Sequence, residues 1–202
     1  MSHNTWAHRI ARIVIVQPLA KTAVHPNHVT AARLCLGLVA AACLAVGTPD
    51  WRLAGAAVFV VSFLLDRADG DLARLTGRTS PGGHVYDLVA DTLCNALTFV
   101  GLGFGLTASS LGPWAILMGL VAGAAVAAIL LLVMRIESLQ GVRAAELKGF
   151  AGFDPDDAVL IVPIALAWGA AEALLTAAAI GAPAFALLFL YVFRRKLRAA
   201  RE

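Results

Sequence analysis

The chain has 202 residues, of which 60% are hydrophobic and only 14% charged, with a formal net charge of +3, and its mean hydropathy is +0.81. That composition excludes an ordinary soluble domain and indicates an integral membrane protein. Cys35, Cys43 and Cys94 stand singly inside apolar runs, which excludes a disulfide or zinc framework and leaves them as small core residues.

Residues 1–28 mix His, Arg and Pro with short apolar runs and lack the small-residue cleavage pattern that follows the apolar core of a signal peptide. Trp6, Ile10, Ile13, Val14 and Leu19, set against Arg9, Arg12 and Lys21, predict an amphipathic helix lying on the cytoplasmic interface. Asn27 and Thr30 read as caps of the first membrane span. Spans are expected near 29–47, 52–68, 85–106, 113–136, 157–178 and 181–195. The fold class is therefore an all-α membrane protein of six transmembrane helices, occupying 29–195 between the interfacial segment and a basic tail at 196–202. The stretch 92–134 holds no Asp, Glu, Lys, Arg or His and is about twice the ~20 residues needed to cross a bilayer once. The Ser-Ser and Gly-Pro between Thr107 and Pro113 mark the turn that divides it.

The basic residues fix an orientation. Arg9, Arg12, Lys21 and Arg33 flank the first span, Arg67, Arg74 and Arg78 lie in the second connection, and Arg135, Arg143 and Lys148 lie in the fourth. Arg194, Arg195, Lys196, Arg198 and Arg201 close the chain, and Arg52 alone falls on the other side. The positive-inside rule then places both termini and the 137–156 loop in the cytoplasm.

Against this background Asp66, Asp69, Asp87 and Asp91 are out of place, because a carboxylate at membrane depth costs several kcal/mol and marks a functional site by default. If both segments are helical, Asp66, Asp69, Gly70 and Ala73 share one face, and Gly83, Asp87 and Asp91 share another. Residues 66–91 read D-x-x-D-G-x-x-A-R-x8-G-x3-D-x3-D. This resembles the signature of the CDP-alcohol phosphatidyltransferase family at every fixed position, and Pro26-Asn27-His28-Val29-Thr30 resembles the family's Pro-Asn-x-x-Thr segment. Six spans are also the family's usual number.

The resemblance implies a phospholipid-synthesising transferase. Asp66, Asp69, Asp87 and Asp91 would be the metal-site acids, with Asp91 also the general base, and Gly70, Ala73, Arg74 and Gly83 would form the cytidine diphosphate pocket. An acceptor hydroxyl would attack the phosphorus that bears the lipid part of CDP-diacylglycerol, and cytidine monophosphate (CMP) would leave. The residue types suit that chemistry. Carboxylates on two facing helices can hold two Mg2+ or Mn2+ ions, which clamp a phosphoryl displacement, and a nearby carboxylate can take the hydroxyl proton. Gly70, Ala73 and Gly83 lack bulk, and the fork of Arg74 matches a diphosphate.

Other residues carry weaker signals. Asp71 occupies a variable position and is expected to be solvated; His84 and Tyr86 read as interfacial packing. Arg135-Ile136-Glu137 resembles the Arg-x-Glu element of many bacterial members, and Arg135, Arg143 and Lys148 are candidate acceptor-binding residues. Thr92 follows Asp91 where members with phosphorylated acceptors usually carry Lys or Arg, which argues against such an acceptor. Asp154-Pro155-Asp156-Asp157 is a helix-start signal. Glu172 is the single acid of the fifth span, paired across a subunit interface or marking a polar defect. Gly119, Gly123 and Ala127 permit close helix approach within or between chains.

The expected partners are a CDP-activated alcohol, a polar alcohol acceptor, membrane lipid and a second copy in a homodimer, with no nucleic acid; the expected location is the bacterial inner membrane. Within the family, a CDP-linked small alcohol with diacylglycerol or ceramide as acceptor would use the same acids. An ion or polar-solute transporter and a catalytically dead scaffold are the alternatives from other classes, and metal-dependent CMP release separates the enzyme from both.

Overall fold

A computed structural model describes residues 6–140 and 159–199, and the described residues are helical with short turns. A short N-terminal helical run comes first, formed by α1 (Trp6–Ala11), a π-helical turn (Arg12–Val16) and α2 (Gln17–Leu19). Then follow α3 (Pro26–Val46), α4 (Pro49–Thr76), α5 (Pro81–Gly105), α6 (Trp114–Gln140), α7 (Ile161–Ala167) and α8 (Ala171–Ala199). Among the described residues α3, α5, α6 and α8 are long and apolar enough to cross a membrane, so the chain is an integral membrane protein with four candidate spans. Helix α4 has 28 residues, but Asp50, Arg52, Asp66, Arg67 and Asp69 leave no comparably uncharged window within it.

Local chemistry sets the helix ends. Pro26, Pro49 and Pro81 each stand at the first position of their helix, where a missing N–H costs nothing. The caps of α4 and α5 are Thr48 and Ser80, whose hydroxyls accept from Trp51 N and Gly83 N. The cap of α3 is His25, whose Nδ1 accepts from Asn27 N at 3.3 Å. Asn27 and Thr30 therefore do not cap it; both lie inside the helix.

Helix α4 ends at Gly77, with φ +67°, where Arg78 N donates to Ala73 O at 2.9 Å, a left-handed stop that suits glycine. The acidic motif thus occupies the last turns of a helix, and Arg67 and Arg74 are helical residues rather than parts of a connection. The same geometry at Gly169, with φ +73° and Ala170 N donating to Ala165 O at 2.8 Å, closes α7. The break in the last apolar third therefore falls at residues 168–170, not near 179–180 as the sequence suggested. Helix α8 runs straight through Gly181 and Pro183, as a membrane helix can when freed backbone groups find other partners.

Two apolar clusters hold the molecule. One joins Ala40, Leu44, Phe59, Leu102, Val162 and Leu175 across five helices. The other joins Ala11 and Val16 to Val29, Ala68 and Leu72, so the N-terminal run is docked on the end of α4 that carries the acids. Ile15 and Leu19 pack against the same cluster, whereas Ile13 is 64% and Val14 66% exposed.

Helices α3, α5 and α6 approach to backbone contact. A Cβ on Gly37 would overlap the Cys94 side chain, and one on Gly101 would overlap the Ala41 carbonyl oxygen. A Cβ on Gly119 would meet Phe99 O at 2.6 Å, and one on Gly123 would meet Ala96 O at 2.9 Å. These two glycines therefore serve packing inside the chain. Cys43 and Cys94 are buried as expected, whereas Cys35 is exposed. Glu172, in the first turn of α8, accepts a hydrogen bond from Ser110 of the α5–α6 turn, so its partner lies within the same chain.

Candidate active site

The first part of α3, the last part of α4 and the first part of α5 lie at one end of the bundle, with α4 antiparallel to the other two. Asp91 is about 15 Å along α5 from its first residue at 1.5 Å per residue. The acids therefore sit several turns inside the helices. Asp66 and Asp69 project from α4 toward Asp87 of α5, and each offers an oxygen within 4.8 Å of the others. The 3.6-residue period that grouped these acids in the sequence is realised.

At the centre of the cluster stands Arg33, 2% exposed, which the sequence reading had assigned to positive-inside flanking. Its Nη1 donates to Asp66 Oδ1 at 2.8 Å and to Asp87 Oδ1 at 2.9 Å, and its Nη2 to Asp91 Oδ1 at 2.5 Å. One planar fork thus ties α3 to both acidic helices, as guanidinium geometry allows and ammonium does not. Arg67 reaches Asp66 Oδ2 at 3.2 Å while lying over the Phe63 ring, 4.8 Å from its centroid, and Arg78 donates to Val24 O. A signal for Arg33 was present in the sequence, since Pro26, Thr30, Arg33 and Gly37 recur at helical spacing on the one buried face of α3.

Three polar side chains complete the cluster. Thr30 Oγ1 donates to Asp69 Oδ2 at 2.7 Å, Asn95 Nδ2 donates to Asp91 Oδ1 at 2.9 Å, and Ser62 Oγ donates to the Arg33 carbonyl at 3.0 Å. Asn95 and Ser62 went unnoticed in the sequence because neither belongs to the acidic pattern. Asp69 is 3% exposed, yet its Oδ1 is buried without a hydrogen-bond partner among the described residues. A buried carboxylate oxygen in that state is one that an ordered water or a cation can satisfy. Thr30→Val should cost about 1–3 kcal/mol by leaving Asp69 short of a second partner, read as a lower thermal midpoint of the metal-free protein.

A narrow cleft opens beside the acids, lined by Arg33, Ser62, Asp66, Asp91 and Asn95 on its polar side and by Phe59 and Phe63 on its apolar side. Gly70, Ala73 and Arg74 lie on α4, and Gly83 lies in the first turn of α5. Arg74 does not point to open space: its Nη2 pairs with Asp71 at 2.5 Å, and its guanidinium lies about 3.4 Å from where a Gly70 Cβ would stand. Asp71 is correspondingly engaged and only 15% exposed, not freely solvated. The Gly83 position faces Asn27 Oδ1, bringing the Pro-Asn-x-x-Thr segment against the acidic motif. Arg135 is exposed near the end of α6. Arg143, Lys148 and the 154–157 helix start lie outside the described residues.

A family model described as CDP-alcohol phosphatidyltransferase matches residues 23–190. Among curated proteins, the chain is 37% identical over 87 residues to the bifunctional IPC transferase and DIPP synthase of Rubrobacter xylanophilus. That stretch is 43% of this chain and 19% of the relative, so the match spans about a fifth of the relative's length.

Proposed function

Because the chain belongs to the CDP-alcohol phosphatidyltransferase family, we propose that it transfers a phosphatidyl group from CDP-diacylglycerol to a polar alcohol and releases CMP. The observation that carries this reading is the convergence of Asp66, Asp69 and Asp87 oxygens within 4.8 Å, one of whose members, Asp69, keeps an oxygen without a partner. Hard carboxylate oxygens in that number suit Mg2+ or Mn2+, and the four aspartates are enough for two ions. When bound, the ions neutralise the diphosphate and stabilise charge on the attacking and leaving oxygens.

The protein's own groups do the rest. Asp91, fixed at Oδ1 by Arg33 and Asn95 at the wall of the cleft, takes the proton from the acceptor hydroxyl. That oxygen bonds to the phosphorus carrying the diacylglycerol, and the bond from this phosphorus to the CMP oxygen breaks. Gly70, Ala73 and Gly83 leave room for the nucleotide. Arg74 reaches the diphosphate by giving up Asp71, and Arg135, Arg143 and Lys148 receive the acceptor.

The same reading includes α4 and the segment containing α7 among six spans, with 1–28 on the cytoplasmic interface of a bacterial inner membrane. The outward Ile13 and Val14 beside Arg9 and Arg12 support the interfacial placement. The homodimer, if formed through helix faces, uses surfaces other than Gly119 and Gly123.

The test supplies purified protein in liposomes with Mg2+, CDP-diacylglycerol and a pool of alcohols. The expected result is CMP plus a new phosphodiester lipid detected by mass spectrometry, lost with EDTA and regained with Mg2+ or Mn2+. Release with a CDP-linked small alcohol and diacylglycerol instead would reverse donor and acceptor, and silence with every CDP donor from folded protein would refute the transferase reading.

A further inference from the structure

Arg33 contacts three of the four aspartates, so its positive charge already lies among the carboxylates that would hold a divalent ion. Asp69 has no ion pair with it; Asp69 is held by Thr30, and its Oδ1 has no hydrogen-bond partner among the described residues. The cluster is thus asymmetric. The Asp69 side has a waiting oxygen and a neutral donor, whereas the Asp91 side is already occupied by a guanidinium that is almost wholly shielded from water.

We propose that Arg33 is a built-in counter-cation standing in the second cation position of the acid cluster, so that one ion enters beside Asp69 and a second enters only by displacing Arg33 from Asp91. The proposal rests on the metal-dependent transferase reading and adds to it an order of loading. Without a cation, four carboxylates crowded on two helices would repel strongly in a poorly screened site. Arg33 relieves that repulsion when metal is absent. It also opposes the second ion electrostatically, until a diphosphate supplies new negative charge. A residue serving only to hold α3 in place would leave the second-ion affinity unchanged when its charge is removed.

The experiment titrates Mn2+ into the full chain in nanodiscs without substrate, with free Mn2+ read by electron paramagnetic resonance and the thermal midpoint followed in parallel. The unaltered protein should bind one Mn2+ well and a second more weakly. In Arg33→Gln the metal-free midpoint should fall, Mn2+ should restore it, and the weaker affinity should rise by roughly tenfold or more, since a full charge is removed from a site of low effective dielectric. Arg33→Lys keeps the charge but cannot span three carboxylates, so it should fall between the two. Equal second-ion affinities in all three proteins would overturn the proposal. So would an Arg33→Gln protein that Mn2+ cannot restore to a folded state, because an ion would then be no substitute for the guanidinium. If the unaltered protein binds no Mn2+ at all, the metal reading under the transferase function fails, and this inference falls with it.

Discussion

Replacing Asp91 by Asn is expected to lower CMP release by roughly 10²–10⁴-fold, the usual contribution of a positioned general base. The reasoning starts from geometry. Asp91 stands at the wall of the cleft, about half exposed, while Asp69 is buried at 3%; of the four acids Asp91 is the one an incoming hydroxyl meets most readily. Asn keeps the side-chain shape and an oxygen to receive the Arg33 and Asn95 hydrogen bonds, so the fold should persist. It cannot take a proton. Turnover is measured as CMP released per minute in liposomes at saturating Mg2+, beside the thermal midpoint. A variant with an unchanged midpoint and unchanged turnover would remove Asp91 from the base position. Lost turnover that returned when Mg2+ was raised beyond the level that saturates the unaltered protein would leave Asp91 with metal binding alone.

The second large effect concerns the fold that holds these acids. Gly101→Ala should destabilise the protein by about 1–3 kcal/mol, the usual cost of adding volume to a filled interior. The added methyl would overlap the Ala41 carbonyl oxygen and stand 3.0 Å from its carbonyl carbon, and backbone cannot rotate aside as a side chain can. Helices α3 and α5 would have to part, and with them Arg33 from Asp87 and Asp91. Gly181→Ala is the matched control. Nothing lies within 4 Å of a Cβ there, and alanine favours a helix over glycine by about 1 kcal/mol, so that midpoint should hold or rise. Equal midpoints for the two variants would mean that the α3–α5 contact is looser than its geometry requires. Loss of CMP release should accompany Gly101→Ala and not Gly181→Ala.

Both predictions draw on residues that differ in how readable they were. Asp66, Asp69, Asp87 and Asp91 were legible because helical periodicity is a local property, and charge inside an apolar chain is conspicuous. Gly101 was legible only as a small residue in a span; that it meets Ala41 follows from which faces of α3 and α5 pack. The Pro-Asn-x-x-Thr segment was recognised as a pattern, but Thr30 was read as a cap. Its hydroxyl in fact reaches an aspartate 39 residues away.

By itself, then, the sequence determined the class of protein and the faces of its helices. Composition decided for a membrane, since no aqueous fold hides so much apolar surface. The period of 3.6 residues decided which acids stand together. The stops at Gly77 and Gly169 were available in principle as glycine signals, although in place of the second of them the reading set a break near 179–180. Tertiary structure alone decided the company those acids keep. Arg33 lies 54 residues before Asp87 and 58 before Asp91, and within a local window only its helical spacing with Pro26, Thr30 and Gly37 sets it apart from a basic residue flanking a span. Its role appears when α3 packs against α4 and α5 and water is excluded. A guanidinium buried there is stable only against carboxylates, and the carboxylates, so crowded, are stable only against a cation.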